Sequence, residues 1–287
     1  MLNFNNYIVR KKTYGGANGN KISIEIEHSL YMLKLPVHAN KNKNISYANS
    51  SISEYIGSHI FKLLGIDAQE TLLGVFTYNG EERIAVACKD FEKDGFVLKD
   101  FASLKNNVID SSSNGYGTEL VDILDAIERQ NLLDKEILKK YFWDVFVIDA
   151  LIGNRDRHNG NRGFLYNQEN DEIKIAPIYD CGSSLFPQID EKQIDECLKS
   201  KQSLNKRVYE VPTSAILNNG KRINYYNFIH SHEYKECDDA IKRLINKMKM
   251  NDIKTLINSI DCLNDKHKEF LIKIIELRYN KIILDNG

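Results

Sequence analysis

Apolar and polar positions alternate with two different periods along this chain of 287 residues, and the change from one to the other divides it. Up to about residue 90 the period is two. Lys21-Ile22-Ser23-Ile24-Glu25-Ile26 alternates strictly. Tyr7-Ile8-Val9 precedes it, and Leu30-Tyr31-Met32-Leu33-Lys34-Leu35-Pro36 is a further apolar run of strand length. Thr71 to Tyr78 and Arg83 to Lys89 flank Asn79-Gly80, a dipeptide that tolerates the positive φ angles of a tight hairpin turn. One helix interrupts these strands. From Ser51 to Leu64, the residues Ile52, Tyr55, Ile56, His59, Ile60, Leu63 and Leu64 recur at helical steps until Gly65 stops them.

Beyond Asp90 the pattern becomes mainly helical. Ala102 to Gly117 is rich in Ser, Asn and Gly and reads as a loop, followed by helices over Thr118 to Asn131 and Asp134 to Ile152. The second helix is apolar around most of its circumference from Phe142 onward, which predicts burial. Gly163 to Tyr166 and Ile173 to Ala176 are short β-prone runs joined by a polar turn. A polar segment extends from Pro187 to Arg207 and is followed by Val211-Pro212-Thr213-Ser214. Helical patterns then cover Tyr234 to Lys249, Asp252 to Ile260 and Asp265 to Leu284.

Charge narrows the range of functions. Lys plus Arg number 39 against 40 for Asp plus Glu, a balance that disfavours holding nucleic acid or an anionic membrane surface. No window approaches the roughly 20 apolar residues of a spanning helix, and Met1 to Lys12 lacks the apolar run of a secretory signal, so a cytoplasmic protein is expected. Cys88, Cys181, Cys197, Cys237 and Cys262 are odd in number and scattered, which predicts free thiols.

Candidate chemistry concentrates between Trp143 and Pro187. Asn154-Arg155-Asp156-Arg157-His158-Asn159-Gly160-Asn161 is separated from Tyr179-Asp180-Cys181-Gly182 by the predicted strand pair. Asp156, Asn161 and Asp180 have the spacing with which protein kinases place the residue that receives the acceptor's proton and two metal ligands. Either cluster alone is also ordinary turn sequence. Upstream, Lys34 lies within an apolar strand, where an ammonium needs an anionic partner, and Glu54 lies near the start of the helix. Glu54 fits two roles: an ion pair with Lys34, or the last member of a capping box, Ser51-x-x-Glu54. The turn Gly15, Gly16, Ala17, Asn18, Gly19 fits either a phosphate cradle or a plain hairpin. Cys88, Lys89 and Asp90 leave the last strand where a kinase hinge offers backbone groups to adenine. Asp149, on so apolar a helix, is expected to pair with an Arg or His.

Met32-Leu33-Lys34-Leu35-Pro36, Ser53-Glu54-Tyr55-Ile56, Gly153 through Asn161, and Tyr179-Asp180-Cys181-Gly182-Ser183-Ser184 resemble the HipA-like serine/threonine kinases, in the branch typified by the cell-translocating kinase CtkA. The resemblance runs from about Tyr7 to Gln188. It implies an α+β, two-lobed, protein-kinase-like fold, with a β-rich N-lobe over 1–90 and a mostly helical C-lobe over 91–287. It further implies ATP and Mg²⁺ as cofactors, Lys34, Glu54 and Asp156 as catalytic residues, and Asn161 and Asp180 as metal ligands. Gly15 to Gly19, Lys34, Cys88 to Asp90, His158, Asn161 and Asp180 would form the nucleotide site. A protein acceptor and autophosphorylation on serine are expected, with Ser23, Ser46, Ser50, Ser51 and Ser53 as nearby candidates. Export without a signal is a further family expectation. Several features depart from the kinase pattern. Gly15-Gly16-x-x-Gly19 is not G-x-G-x-x-G, Asn154 replaces the usual His, Asp180-Cys181-Gly182 replaces D-F-G, and no A-P-E segment follows. The glycine turn begins close to Met1, without HipA's preceding subdomain, which argues against dependence on a HipB-like antitoxin. A nucleotide-binding pseudokinase and a lipid or small-molecule kinase would carry the same motifs.

Overall fold

The alternating segments near the N-terminus pair into one sheet, because each presents an apolar face that only a shared core can cover. The computed structural model describes residues 1–15, 21–36, 49–109 and 113–286. Gly16 to Asn20 of the glycine turn and Val37 to Ala48, including Ser46, lie outside them. The strands are β1 (Leu2–Asn3), β2 (Ile8–Arg10), β3 (Lys21–Ile26) and β4 (Ser29–Lys34). After helix α1 (Ser50–Leu63) come β5 (Thr71–Tyr78) and β6 (Glu81–Lys89). They assemble in the order β1-β5-β6-β4-β3-β2. The register sets Lys21 opposite Lys34 across β3 and β4, and Lys34 opposite Val86 across β4 and β6. Phe4, Ile24, Leu33, Ala85 and Ala87 belong to a core cluster of the sheet's own.

Helix α1 lies against β5 and β6, yet its Ile52, Ile56, Ile60 and Phe61 join the larger core formed by the helices that follow. It comes close to the segment after Asp180. A Cβ at Gly57 would stand 2.6 Å from Cβ of Cys181 and 3.3 Å from Oγ of Ser184. Gly57→Ala should therefore push α1 away from that segment, lowering stability by about 1–3 kcal/mol and reducing turnover. Chemical denaturation alongside a turnover assay checks this, and wild-type values for both would contradict the close packing.

The second half begins with β7 (Phe96–Asp100) and α2 (Phe101–Val108), followed by α3 (Leu120–Arg129) and α4 (Lys135–Ile152). Strands β8 (Gly163–Asn167) and β9 (Glu172–Ile175) follow, and a three-stranded sheet runs β7-β8-β9. Helices α5 (Glu191–Lys199) and α6 (Lys201–Tyr209) lead to the hairpin β10 (Thr213–Asn218) and β11 (Lys221–Asn224). The chain closes with α7 (Tyr225–Ile229), α8 (Lys235–Ile245), α9 (Met250–Asn258) and α10 (Asp265–Arg278). Every residue of α4 from Phe142 to Ile152 is buried, as its all-round apolar character requires, and the helix ends on Gly153 at φ 64°.

Two stretches differ from expectation. Part of the expected loop Ala102 to Gly117 is helix α2, capped by the Asp100 side chain, which accepts from the Ser103 N–H at 2.9 Å, with Phe101, Ala102 and Leu104 buried. The expected polar segment before Arg207 contains α5, opened by a capping box between Asp190 and Gln193, and α6, capped by Ser200. In each case a few buried apolar residues suffice, and the polar composition reflects the exposed faces. The segment after Val211 is a hairpin turning on Asn219 and Gly220, with φ of 52° and 74°.

Candidate active site

Helix α4 delivers the chain to Asp156 through a set of buried polar contacts. Asp149 and Arg157 pair at 3.1 Å, each almost wholly inaccessible. The Asn154 side chain donates to Asp149 Oδ1 at 3.0 Å and accepts from the Asp156 N–H at 3.0 Å. Arg157 also donates to the backbone carbonyls of Asn161, at 2.9 Å, and Tyr179, and its guanidinium lies over the Phe61 ring of α1. One buried side chain thus ties together the loop of Asp156, the residue before Asp180 and the helix that carries Glu54. The partner expected for Asp149 is this arginine. Burial pushes the Asp149 carboxyl up, while Asp149 holds the Arg157 guanidinium well above its ordinary value against the cost of burial.

Asn161 turns its amide nitrogen to the Asp156 carbonyl, at 2.9 Å, leaving its side-chain oxygen as the acceptor. The Asp156 carboxylate makes no hydrogen bond among the described residues; it reaches solvent, yet the protein around it strips away enough water to raise its pKa. Across from this loop, Lys34 Nζ lies 3.1 Å from Glu54 Oε2 and 3.1 Å from Asp180 Oδ1. Burial opposes the Lys34 charge, but the two carboxylates outweigh it and hold the ammonium well above its usual pKa. Lys34 in turn depresses the Asp180 carboxyl. Asp180 sits at φ 59°, a left-handed backbone that turns its side chain back toward β4. The capping alternative for Glu54 does not form: the N-cap position of α1 is Asn49, whose side chain makes no capping bond, and Ser51, inside the helix, donates its Oγ–H to the Ile84 carbonyl at 3.3 Å.

The remaining candidates divide. Of the glycine turn, Gly15 alone is described; it is exposed, and its carbonyl accepts from Lys21 Nζ at 2.6 Å. Lys21 was not singled out from the sequence. It faces Lys34 in register, its pKa is lowered by burial and then by Lys34, and only the pairing of β3 with β4 reveals it as a second cation at this site. The expected hinge groups are engaged within the protein. Cys88 is buried between β4 and β5, the Lys89 N–H donates to Glu70 at 2.8 Å, and the Asp90 N–H donates to Leu30 at 2.8 Å. The Asp90 carboxylate is held by Tyr14 at 2.9 Å and Lys12 at 2.6 Å. Two backbone donors at this corner, the Lys89 and Asp90 N–H groups, are thus taken up by the sheet. His158 Nδ1 accepts from the Gly160 N–H at 3.0 Å and so shapes its own turn.

Residues 12–252 match the model of the HipA-like C-terminal domain. The chain is also 44% identical over 274 residues, 95% of its length and 83% of the relative's, to the serine/threonine-protein kinase CtkA of Helicobacter pylori strain J99. The chain belongs to the HipA-like kinase family. The crystal structure of the H. pylori proinflammatory kinase CtkA superposes on this HipA-like chain with a TM-score of 0.91, at 43% identity, covering 98% of this chain and 95% of that one. HipA of Shewanella oneidensis MR-1, solved with HipB and operator DNA, shares the fold at a TM-score of 0.54 and 12% identity, covering 95% of this chain and 67% of that one.

A kinase of this family uses a nucleotide and a metal, and the residues present fit both. Glu54 Oε1 is buried without a hydrogen-bond partner beside Lys34, an acceptor left over that a cation or a donor would satisfy. Among the described residues no three His, Cys, Asp or Glu converge as a metal cage. Asn161 and Asp180 supply hard oxygen atoms, the donor set of an ion that takes one or two side chains and completes its shell with phosphates and water. No helix among the described residues is long and apolar enough to cross a membrane.

Proposed function

We propose that this HipA-like serine/threonine-protein kinase transfers the γ-phosphoryl group of ATP to a serine or threonine hydroxyl of a protein, itself included. The observation that carries the reading is the convergence of Lys34, Glu54 and Asp180 within 3.1 Å contacts, with Arg157 bonded to the carbonyls of Asn161 and Tyr179. Lys34, oriented by Glu54, holds phosphate oxygens, and Lys21 adds a second cation on the same strand pair. Asn161 and Asp180 would hold Mg²⁺, which would supply neutralisation of the phosphate charge. Asp156 orients the acceptor hydroxyl and takes its proton; the open carboxylate and its raised pKa support that role. Residues 1–90 act as the lobe that carries the phosphate-holding cations and 91–287 as the lobe that carries the acceptor machinery. Five free cysteines, four of them buried, support a reducing compartment such as the cytoplasm.

The test is incubation with γ-labelled ATP and Mg²⁺ in the presence of mixed protein acceptors, followed by phosphoamino-acid analysis. Label on serine or threonine, lost on chelation of the metal, is the expected result. Bound ATP with no label in any protein would overturn it in favour of a pseudokinase, and label confined to lipids or small molecules in favour of the other kinase class.

A further inference from the structure

Two backbone carbonyls lead directly into Asp156, those of Asn154 and Arg155, and a distant part of the chain holds both. The Tyr225 hydroxyl, at the start of α7, donates to the Asn154 carbonyl at 2.7 Å. Arg222 Nη2, on β11, donates to the Arg155 carbonyl, while Arg222 Nε donates at 2.8 Å to the Ser214 carbonyl on β10. The planar guanidinium therefore spans its own hairpin and the loop, a geometry that a single ammonium does not reproduce. The hairpin is itself fixed. The Leu217 N–H donates to the Thr118 carbonyl at 2.8 Å, Thr118 Oγ1 donates to the Ala215 carbonyl at 2.8 Å, and the Gly220 N–H donates to Glu119 Oε1 at 2.7 Å.

The contacts on the other side of the loop explain why such a clamp matters. Asn154, Arg157 and Asn161 hold the loop from the side of α4. Those bonds hold the loop's inner edge, including the Asp156 N–H, but Arg155 and Asp156 are both exposed, and the carbonyls of the two peptides that flank Arg155 point away from α4's partners. Tyr225 holds the carbonyl of the Asn154–Arg155 peptide, and Arg222 holds that of the Arg155–Asp156 peptide, which leads straight into the base. A base must sit within hydrogen-bond reach of the proton it takes, so a small rotation of this peptide would move the Asp156 carboxylate out of range.

We propose that the β10–β11 hairpin is a positioning clamp for Asp156, with Arg222 as its principal positioning residue and Tyr225 as its second. The inference rests on the reading of Asp156 as the acceptor-side base. On this reading Arg222 acts through its bonds to the Ser214 and Arg155 carbonyls and not on the nucleotide or metal, so its removal changes the chemical step and leaves nucleotide binding alone.

The test is a double-mutant cycle on the full chain with ATP, Mg²⁺ and a protein acceptor. Arg222→Ala is expected to lower kcat about 10- to 100-fold, with KM for ATP unchanged and the thermal midpoint within about 3 °C of wild type. Tyr225→Phe, which removes only a hydroxyl, should show the same split between kcat and KM. In an Asp156→Asn background, Arg222→Ala should cause no further loss, because the group it positions no longer takes a proton. An unchanged kcat, a matching loss of nucleotide affinity, or losses that multiply in the double mutant would overturn the clamp. If Asp156→Asn alone kept wild-type turnover, the base assignment would fail first and the clamp with it.

Discussion

Asp156→Asn is expected to lower turnover by about two to four orders of magnitude while leaving nucleotide affinity nearly unchanged. The carboxamide has the same shape, and the loop is held through groups the substitution does not alter: the Asp156 N–H to Asn154 at 3.0 Å and its carbonyl from Asn161 at 2.9 Å. What disappears is the ability to receive a proton. Asp180→Asn offers the contrast. It removes a proposed metal ligand and one of the two carboxylates 3.1 Å from Lys34, so Mg²⁺-dependent nucleotide binding should fall together with turnover. Single-turnover labelling and calorimetric titration of nucleotide separate the two patterns. Near-wild-type labelling by the Asp156 variant, correctly folded, would remove this residue from the mechanism.

The largest effect on stability is expected from splitting Asp149 and Arg157. Each side chain in the pair is only 2% exposed, so either partner left alone would be a charge without water or counter-ion. Asp149→Leu or Arg157→Leu should cost about 3–5 kcal/mol, whereas the double replacement by leucine should recover much of it. Recovery of stability should not bring back turnover. Arg157 also donates to Asn161 and Tyr179, whose positions set both proposed metal ligands, and leucine cannot replace those bonds. Urea denaturation with parallel labelling checks both halves. A stable, active double variant would show that the guanidinium is dispensable for the site.

Much of the site was legible because its chemistry is local or tied to a strong period. The Asp156–Asn161 run and Asp180 flank a strand pair that forms as β8 and β9, and Lys34 meets Glu54 across 20 positions. The fold class follows from the switch between period two and helical period, and it matches the kinase architecture of the CtkA structure. Other features depend on three-dimensional pairing that no local pattern carries. Lys21 matters because it faces Lys34 across two paired strands, and Arg222 because it returns to Arg155 from 67 positions away. Helices α2, α5 and α6 were obscured by composition. Short helices bury only a few residues each, such as Ile194 and Cys197 in α5, so polar residues dominate the count. The pairing of the Lys89 and Asp90 N–H groups with Glu70 and Leu30 likewise follows from the closing of the sheet and not from chain position.

Helix α1 carries Ser51 and Ser53 on the side turned inward, each 2% exposed, one bonded to the sheet and the other beneath the segment after Asp180. A phosphate ester there would bring close to two negative charges into a space already holding the Glu54 carboxylate. The helix could not then close against the sheet, and Glu54 would lose its hold on Lys34. Covalent marking of these serines would thus break the Lys34–Glu54 ion pair on which the proposed mechanism relies, making them inhibitory marks rather than activating ones.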